Sequence, residues 1–289
     1  MPKPLTFTDA DQPSHLTGDQ KTMPRILIRA TRAATASAAL MLWTAGAQAQ
    51  TWSATSPETS SCSAENLFAS RMYGRYTISN DVWSPCSNVT AGPQTIWANS
   101  KLGGDSELDW GVTSDQPNTS GIKSYPHIGY QVKKTIGSLN SLSAAVSATT
   151  PSGGAWESTF DIWVGGTAHE IMIWLNYTGT AEGCGNVKPI SYNWTQAGCA
   201  IPLHRNVSLS NGSWNVYVGT NRSNIVYTFV RTTKTDNAAI DVLAFMKYLR
   251  SLNYFDDDLE IGDLQYGFEI TSSRGNLSFA SKKFTVTAE

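Results

Sequence analysis

One stretch constrains the fold more than any other, Phe160 to Leu175, which reads Phe-Asp-Ile-Trp-Val-Gly-Gly-Thr-Ala-His-Glu-Ile-Met-Ile-Trp-Leu. Two apolar-rich runs flank Gly165-Gly166-Thr167-Ala168, a loop of hairpin length with residues suited to positive φ. Side chains alternate between faces along a strand. One face of this hairpin therefore carries Phe160, Ile162 and Val164 with Ile171, Ile173 and Leu175, all core-forming. The other carries Asp161 and Trp163 with Glu170, Met172 and Trp174. A solvated face would more often hold Lys, Thr and Ser. Acid, tryptophan and methionine together read as a cleft floor for a ligand with both hydroxyls and apolar ring faces.

The rest of the chain repeats the strand pattern. Runs with turn signals between them cover 71–78, 94–98, 106–112, 127–132, 139–148, 156–164, 169–176, 205–209, 213–220, 223–232, 263–272 and 277–287. Many short strands at this spacing predict an all-β sandwich or jelly roll. One segment, 236–252, has helical period instead: Val242, Phe245, Met246, Leu249 and Leu252 form one stripe. Asp236 or Asn237 can cap its start, and the stripe is core. The acidic run Asp256-Asp257-Asp258 that follows lacks calcium-loop spacing and reads as a solvated turn.

The 289 residues suffice for a sizeable core, and only 15% of them are charged. After residue 49 there are 16 basic and 20 acidic residues. No basic stripe results, so nucleic acid is excluded as a partner and a neutral ligand fits best. Residues 1–49 read as upstream sequence plus a secretory signal. Met23 opens an Arg-rich stretch, Ala34 to Ala45 is a short apolar run, and Ala47-Gln48-Ala49 is a small-x-small cleavage site. Translation could start at Met1 or Met23. The expectation is export, with no membrane attachment once the signal is removed. Residues 50–61 are Ser/Thr-rich and read as a flexible lead-in, with the folded domain over 62–289. The four cysteines allow three pairings. The sequential one, Cys62–Cys86 and Cys184–Cys199, closes two short loops and is expected in an oxidising compartment. Zinc-type spacing and accompanying histidines are absent, and no metal or cofactor is expected.

A second acid stands out near the C-terminus. Alternation through Leu264 to Thr271 puts Gln265, Gly267, Glu269 and Thr271 on one face and Leu264, Tyr266, Phe268 and Ile270 on the other. Glu is depleted in strand centres, so Glu170 and Glu269 need a reason. Gly267 leaves room there for a ligand or a neighbouring backbone. Two acids across a cleft can split roles, one ionised as nucleophile and one protonated as acid, and glycosidic bond cleavage needs that pair. Spacing alone leaves open that both are solvated glutamates on an exposed sheet.

Several motifs, in order, resemble glycoside hydrolase family 12, which comprises endo-β-1,4-glucanases including xyloglucan-active members. They are Asn80-Asp-Val-Trp83, Leu108-Asp-Trp110, Ile122-Lys-Ser-Tyr-Pro-His127, Phe160-Asp-Ile-Trp163, Glu170-Ile-Met-Ile-Trp-Leu175, Ser213-Trp-Asn-Val-Tyr-Val-Gly219 and Gly267-Phe-Glu-Ile270. The resemblance spans residues 60 to 287. It implies a β-jelly roll of two curved antiparallel sheets with an open cleft and one helix. It makes Glu170 the nucleophile of a retaining mechanism, Glu269 the general acid/base, and Asp161 a hydrogen-bond partner of Glu170. It further implies Trp83 as a cleft tryptophan with Asn80 as hydroxyl partner, and Cys62–Cys86 as the family's N-terminal disulfide. Met172 and Trp174 share the nucleophile's face, and Trp110 and Tyr125 are further sugar-binding candidates.

The chain departs from the family pattern at Asp81, where a second Asn is usual, and at Ser84, where a Gly is. It also inserts a segment from Gly183 to Cys199 beside the expected cleft. The expected function is a secreted, monomeric endo-β-1,4-glucanase acting on cellulose-type or mixed-linkage glucan. A xyloglucan-specific hydrolase and a non-catalytic carbohydrate-binding jelly roll are the alternatives.

Overall fold

A computed structural model of the chain describes residues 50–100 and 108–289, without the side chains of Gln50 and Ser100. The expected upstream segment and signal, 1–49, lie outside the described residues. The strands follow as β1 (Gln50–Ser56), β2 (Ser70–Tyr73), β3 (Tyr76–Ser79), β4 (Gln94–Ser100) and β5 (Leu108–Ser114). Then come β6 (His127–Thr135), β7 (Leu142–Thr149), β8 (Ala155–Val164), β9 (His169–Tyr177) and β10 (His204–Leu209). The chain continues with β11 (Gly212–Thr220), β12 (Ile225–Arg231), β13 (Asn237–Asp241), a helix α1 (Val242–Ser251), β14 (Glu260–Ser272) and β15 (Leu277–Ala288).

Two sheets result. The smaller has the order β1-β4-β5-β15-β7-β13, and the larger β10-β11-β12-β9-β8-β14-β6-β3-β2. Their facing sides close one core. Trp110 of β5 and Phe279 of β15 meet Phe268 of β14, with ring centroids 5.6 and 5.1 Å apart. Each such ring, fully buried, contributes roughly 1.5–3 kcal/mol. This is the expected jelly roll, with one exception to its antiparallel order: β12 pairs parallel with β9.

The central hairpin folds as its alternation requires. Phe160, Ile162, Val164, Ile171, Ile173 and Leu175 all join the core. Gly165 and Gly166 take φ of +63° and +69°, which a residue with a Cβ adopts only with strain. Both disulfides form as the sequential pairs, Cys62–Cys86 and Cys184–Cys199.

Two expectations are corrected. The supposed lead-in begins with a strand, since β1 pairs with β4 from Gln50↔Ser100 to Ser56↔Gln94. Its Ser/Thr-rich composition hides an alternation in which Trp52 and Ala54 pack on the core and Ser56 is buried. The helix starts later than its stripe predicted. Asn237–Asp241 pairs with β7 at the edge of the smaller sheet, because Ile240 is buried there at strand period. Asp241, and neither Asp236 nor Asn237, caps the helix, accepting from the Ala244 amide at 3.1 Å. Phe245 then packs edge-on against Trp214 and Phe229 of β11 and β12. In the acidic turn, Asp257 pairs with Arg250 at 2.9 Å. Among the described residues no cluster of three His, Cys, Asp or Glu could hold a metal.

Candidate active site

The face of the larger sheet that turns away from the core floors a cleft of about 470 Å³. Strand β8 runs along its middle, between β9 and β14. Four acids come from these strands: Glu157 and Asp161 from β8, Glu170 from β9 and Glu269 from β14. A fifth, Asp81, comes from the loop after β3. The ladder fixes their order. Glu170 stands opposite Trp163, Glu269 stands opposite Glu157, and Asp161 lies between those two levels on β8. β-bulges at Ser158/Thr159 and at Ile270/Ser272 bend this part of the sheet.

Burial pushes all five acids upward, and the charges of neighbouring acids add to it at Asp161 and Glu269. Glu170 is raised by burial, against which a hydrogen bond from Asn224 works. The Asn224 and Asn221 side-chain amides both donate to its Oε2, at 2.5 and 3.3 Å. Asp161 stands well above the usual carboxylate range, through burial first and then the charges of Glu170, Glu269, Asp263 and Asp81. Its Oδ1 has no hydrogen-bond partner within the protein. Glu269 also stands well above that range, through burial, then the charge and hydrogen bond of Glu157, then Glu170 and Asp81. Glu157 is raised to about 7 by burial, with its hydrogen bond to Glu269 pulling the other way. Asp81 is raised by burial, opposed by His127, whose Nδ1 lies 3.8 Å from it. The lining includes one cation, Lys188, which donates to the Gly198 carbonyl and lies 5.4 Å from the Trp194 ring centroid. Five acids beside one cation oppose one another's ionisation.

Trp83, Trp163, Trp174 and Tyr125 give the cleft its aromatic walls, with Met172 between acids. Tyr125 donates to the Thr159 carbonyl at 3.3 Å and stacks on His127. The buried Trp174 Nε1 has no partner within the protein. Gly267 is explained by backbone: a Cβ there would come within 2.3 Å of the Pro126 carbonyl oxygen. The inserted disulfide segment supplies Lys188 and Ile190 to the wall.

Two candidate sugar-binding residues lie elsewhere. Asn80 is fully buried; its amide donates to Ser56 and to the Asn66 carbonyl, and its Oδ1 accepts from Gln94. It anchors the loop, while its neighbour Asp81, at a left-handed φ of +43°, reaches the cleft. Trp110 is fully buried between the sheets, because β5 belongs to the smaller sheet.

Sequence reasoning missed Glu157, Asn221 and Asn224 as site residues. Glu157 was findable, since it shares Asp161's parity on one strand. Asn224 was not, because only the parallel pairing of β12 on β9 brings its end of the strand beside Glu170.

The chain is similar to known proteins along most of its length. Residues 74–289 match the family model described as glycosyl hydrolase family 12. A xyloglucan-specific endo-β-1,4-glucanase A of Emericella nidulans is 30% identical, over 74% of this chain and 87% of that protein. An inactive glycoside hydrolase of Phytophthora nicotianae is 28% identical, over 72% and 85%. Among solved structures, the xyloglucanase domain of NopAA, a type three effector from Sinorhizobium fredii, in complex with cellobiose, is 40% identical. It covers 82% of this chain and 99% of its own, with a TM-score of 0.72. The matched residues include every strand that floors the cleft, and the chain belongs to glycosyl hydrolase family 12.

Proposed function

We propose that this protein is exported and cleaves internal β-1,4-glucosidic bonds by double displacement, with Glu170 as nucleophile and Glu269 as acid/base. One observation carries the proposal: two strand-borne glutamates share one aromatic-walled cleft, one of them held by Asn221 and Asn224. Asn221 and Asn224 both hold Oε2 of Glu170, which leaves Oε1 to attack the anomeric carbon. Their donated hydrogen bonds favour the ionised form. Glu269 is held protonated and so can give its proton to the departing glycosidic oxygen. The products of that step are a glycosyl ester on Glu170 and a Glu269 carboxylate. Glu269 then takes a proton from water, whose oxygen attacks the anomeric carbon and frees Glu170. Asp161, raised by burial and then by the charges of Glu170 and Glu269, stays protonated beside the two acids. Indole and phenol rings of Trp83, Trp174 and Tyr125 offer apolar faces to the sugar rings.

Within β-1,4-glucans, xyloglucan is the favoured substrate. The support is that the relatives 30% and 40% identical are described as xyloglucan-specific or as a xyloglucanase. A non-catalytic carbohydrate-binding role is disfavoured by the acid pair. The test is reducing-sugar release from xyloglucan, mixed-linkage β-glucan and carboxymethylcellulose, with Glu170→Gln and Glu269→Gln beside the wild type. Fastest release from xyloglucan, lost in both variants, is expected. Binding without release by the folded wild type would overturn the proposal.

A further inference from the structure

Glu157 has no task in the double displacement, yet it sits in the cleft floor. Its side chain is 3% exposed and stands directly cross-strand from Glu269, on the same face. Residues directly opposite on one face of an antiparallel pair have Cβ atoms about 4.5–5.5 Å apart, so the two carboxyl groups lie within reach of each other. An ionised carboxylate only accepts hydrogen bonds. Two carboxyl groups in such contact therefore hold at least one proton between them. We propose that Glu157 is a positioning residue for Glu269, sharing a proton with it so that the acid/base stays loaded.

The proposal rests on Glu269 being the acid/base. Other groups face Glu269 as well: Asp81 from the loop after β3, Glu170 from β9, Asp161 from β8 and Tyr125 from the segment before β6. Among these acids Glu157 is set apart by register: it is the direct cross-strand partner of Glu269, whereas Asp161 pairs with Gln265 and Met172, and Glu170 with Trp163 and Val226. Lys188, the cation of the lining, is tied to the Gly198 carbonyl.

The cycle balances. When Glu269 gives its proton to the leaving oxygen, its carboxylate becomes an acceptor for the Glu157 hydroxyl, which keeps its own proton below about pH 7. One water then gives its proton to Glu269 and its oxygen to the sugar, and the acid pair returns to its starting state. Above that pH the pair holds one proton. The like charge of Glu157 then opposes loss of the proton that Glu269 needs.

The test joins two readouts on the full chain, with circular dichroism to check folding. Protein labelled with ¹³C in the Glu carboxyl groups is titrated by NMR, and kcat/KM is measured against pH, for wild type and Glu157→Gln. The variant keeps a hydrogen-bonding amide but cannot ionise. Its Glu269 midpoint is expected to fall by about one pH unit or more, and the basic limb of kcat/KM to fall with it. One unit above the wild-type limb, that amounts to roughly a tenfold further loss. In the wild type itself, the Glu157 and Glu269 signals are expected to respond to each other's titration. Independent titration there overturns the proposal even if Glu157→Gln fails to fold, and so does an unmoved Glu269 midpoint in a folded variant. If the midpoint moves while Glu269→Gln still hydrolyses polysaccharide, the shared proton stands and the acid/base assignment falls.

Discussion

Glu157→Gln is expected to stabilise the protein at pH 8 and to leave its stability nearly unchanged at pH 4. Glu157 holds its proton up to about pH 7 in the folded chain, against an ordinary value of 4.5 when unfolded. Between those values the folded state binds more protons than the unfolded one. Stability is therefore full below the lower value, falls as pH rises through the window, and stays reduced above it. At about 1.4 kcal/mol per pH unit, the whole window is worth on the order of 3 kcal/mol. Part of this belongs to the pair with Glu269 rather than to Glu157 alone. Glutamine never ionises, so the variant escapes the penalty. For a domain of this size 1 kcal/mol moves Tm by roughly 2–4 °C, which gives a gain of up to about 6–12 °C at pH 8. Differential scanning calorimetry of both proteins at pH 4 and pH 8 measures it. A Tm gap that is the same at both pH values, or a variant less stable at pH 8, would refute the linkage.

Three further outcomes follow from the geometry. Asn224→Ala removes the 2.5 Å donor to Glu170. The pKa of Glu170 then rises and the acid limb of kcat/KM moves to higher pH; an unshifted limb would show that the contact does not tune Glu170. Gly267→Ala drives a Cβ into the Pro126 carbonyl, 2.3 Å away, and the His127 Cβ, 2.7 Å away. It is expected to lower stability by about 1–3 kcal/mol and, by moving Glu269, to lower kcat by about 10²-fold; wild-type melting and turnover would contradict this. Lys123 is fully buried, its ammonium donating to the carbonyls of Thr119, Ser120, Gly121 and Thr271. Lys123→Met leaves those carbonyls without their donor and is expected to cost more than about 2 kcal/mol by denaturant titration. Because the segment it ties carries Ile122 into the cleft, KM should rise as well.

Much of the cleft was legible because strand alternation is a strict rule. Parity alone placed Asp161, Glu170, Met172, Trp174 and Glu269 on one side and their neighbours in the core. The same rule covered Glu157, but the hairpin reading began at Phe160 and stopped short of it. Parity is local, however, and says nothing about which sheet receives a strand. Trp110 lies in an alternating run like the others, and only its place in the smaller sheet turns it inward. Asn80 was expected in the cleft from the family resemblance, and the local backbone puts its neighbour there instead. A left-handed residue at Asp81 breaks the alternation, so the polar side chain that reaches the cleft is the second of the two. Composition misled at both margins of the smaller sheet. Ser/Thr-rich β1 resembled a loose leader, and Asn237–Asp241 resembled helix because the stripe beyond it was so regular.

The assignment of the two glutamates is tested most directly by azide rescue, with the anomeric configuration of the product read by NMR. On a dinitrophenyl β-cellobioside, which needs no acid, Glu269→Ala with azide is expected to yield the β-glycosyl azide after two inversions. Glu170→Ala with azide is expected to yield the α-glycosyl azide after one. The same anomer from both variants, or no rescue in either folded variant, would contradict the assignment of Glu170 as nucleophile and Glu269 as acid/base.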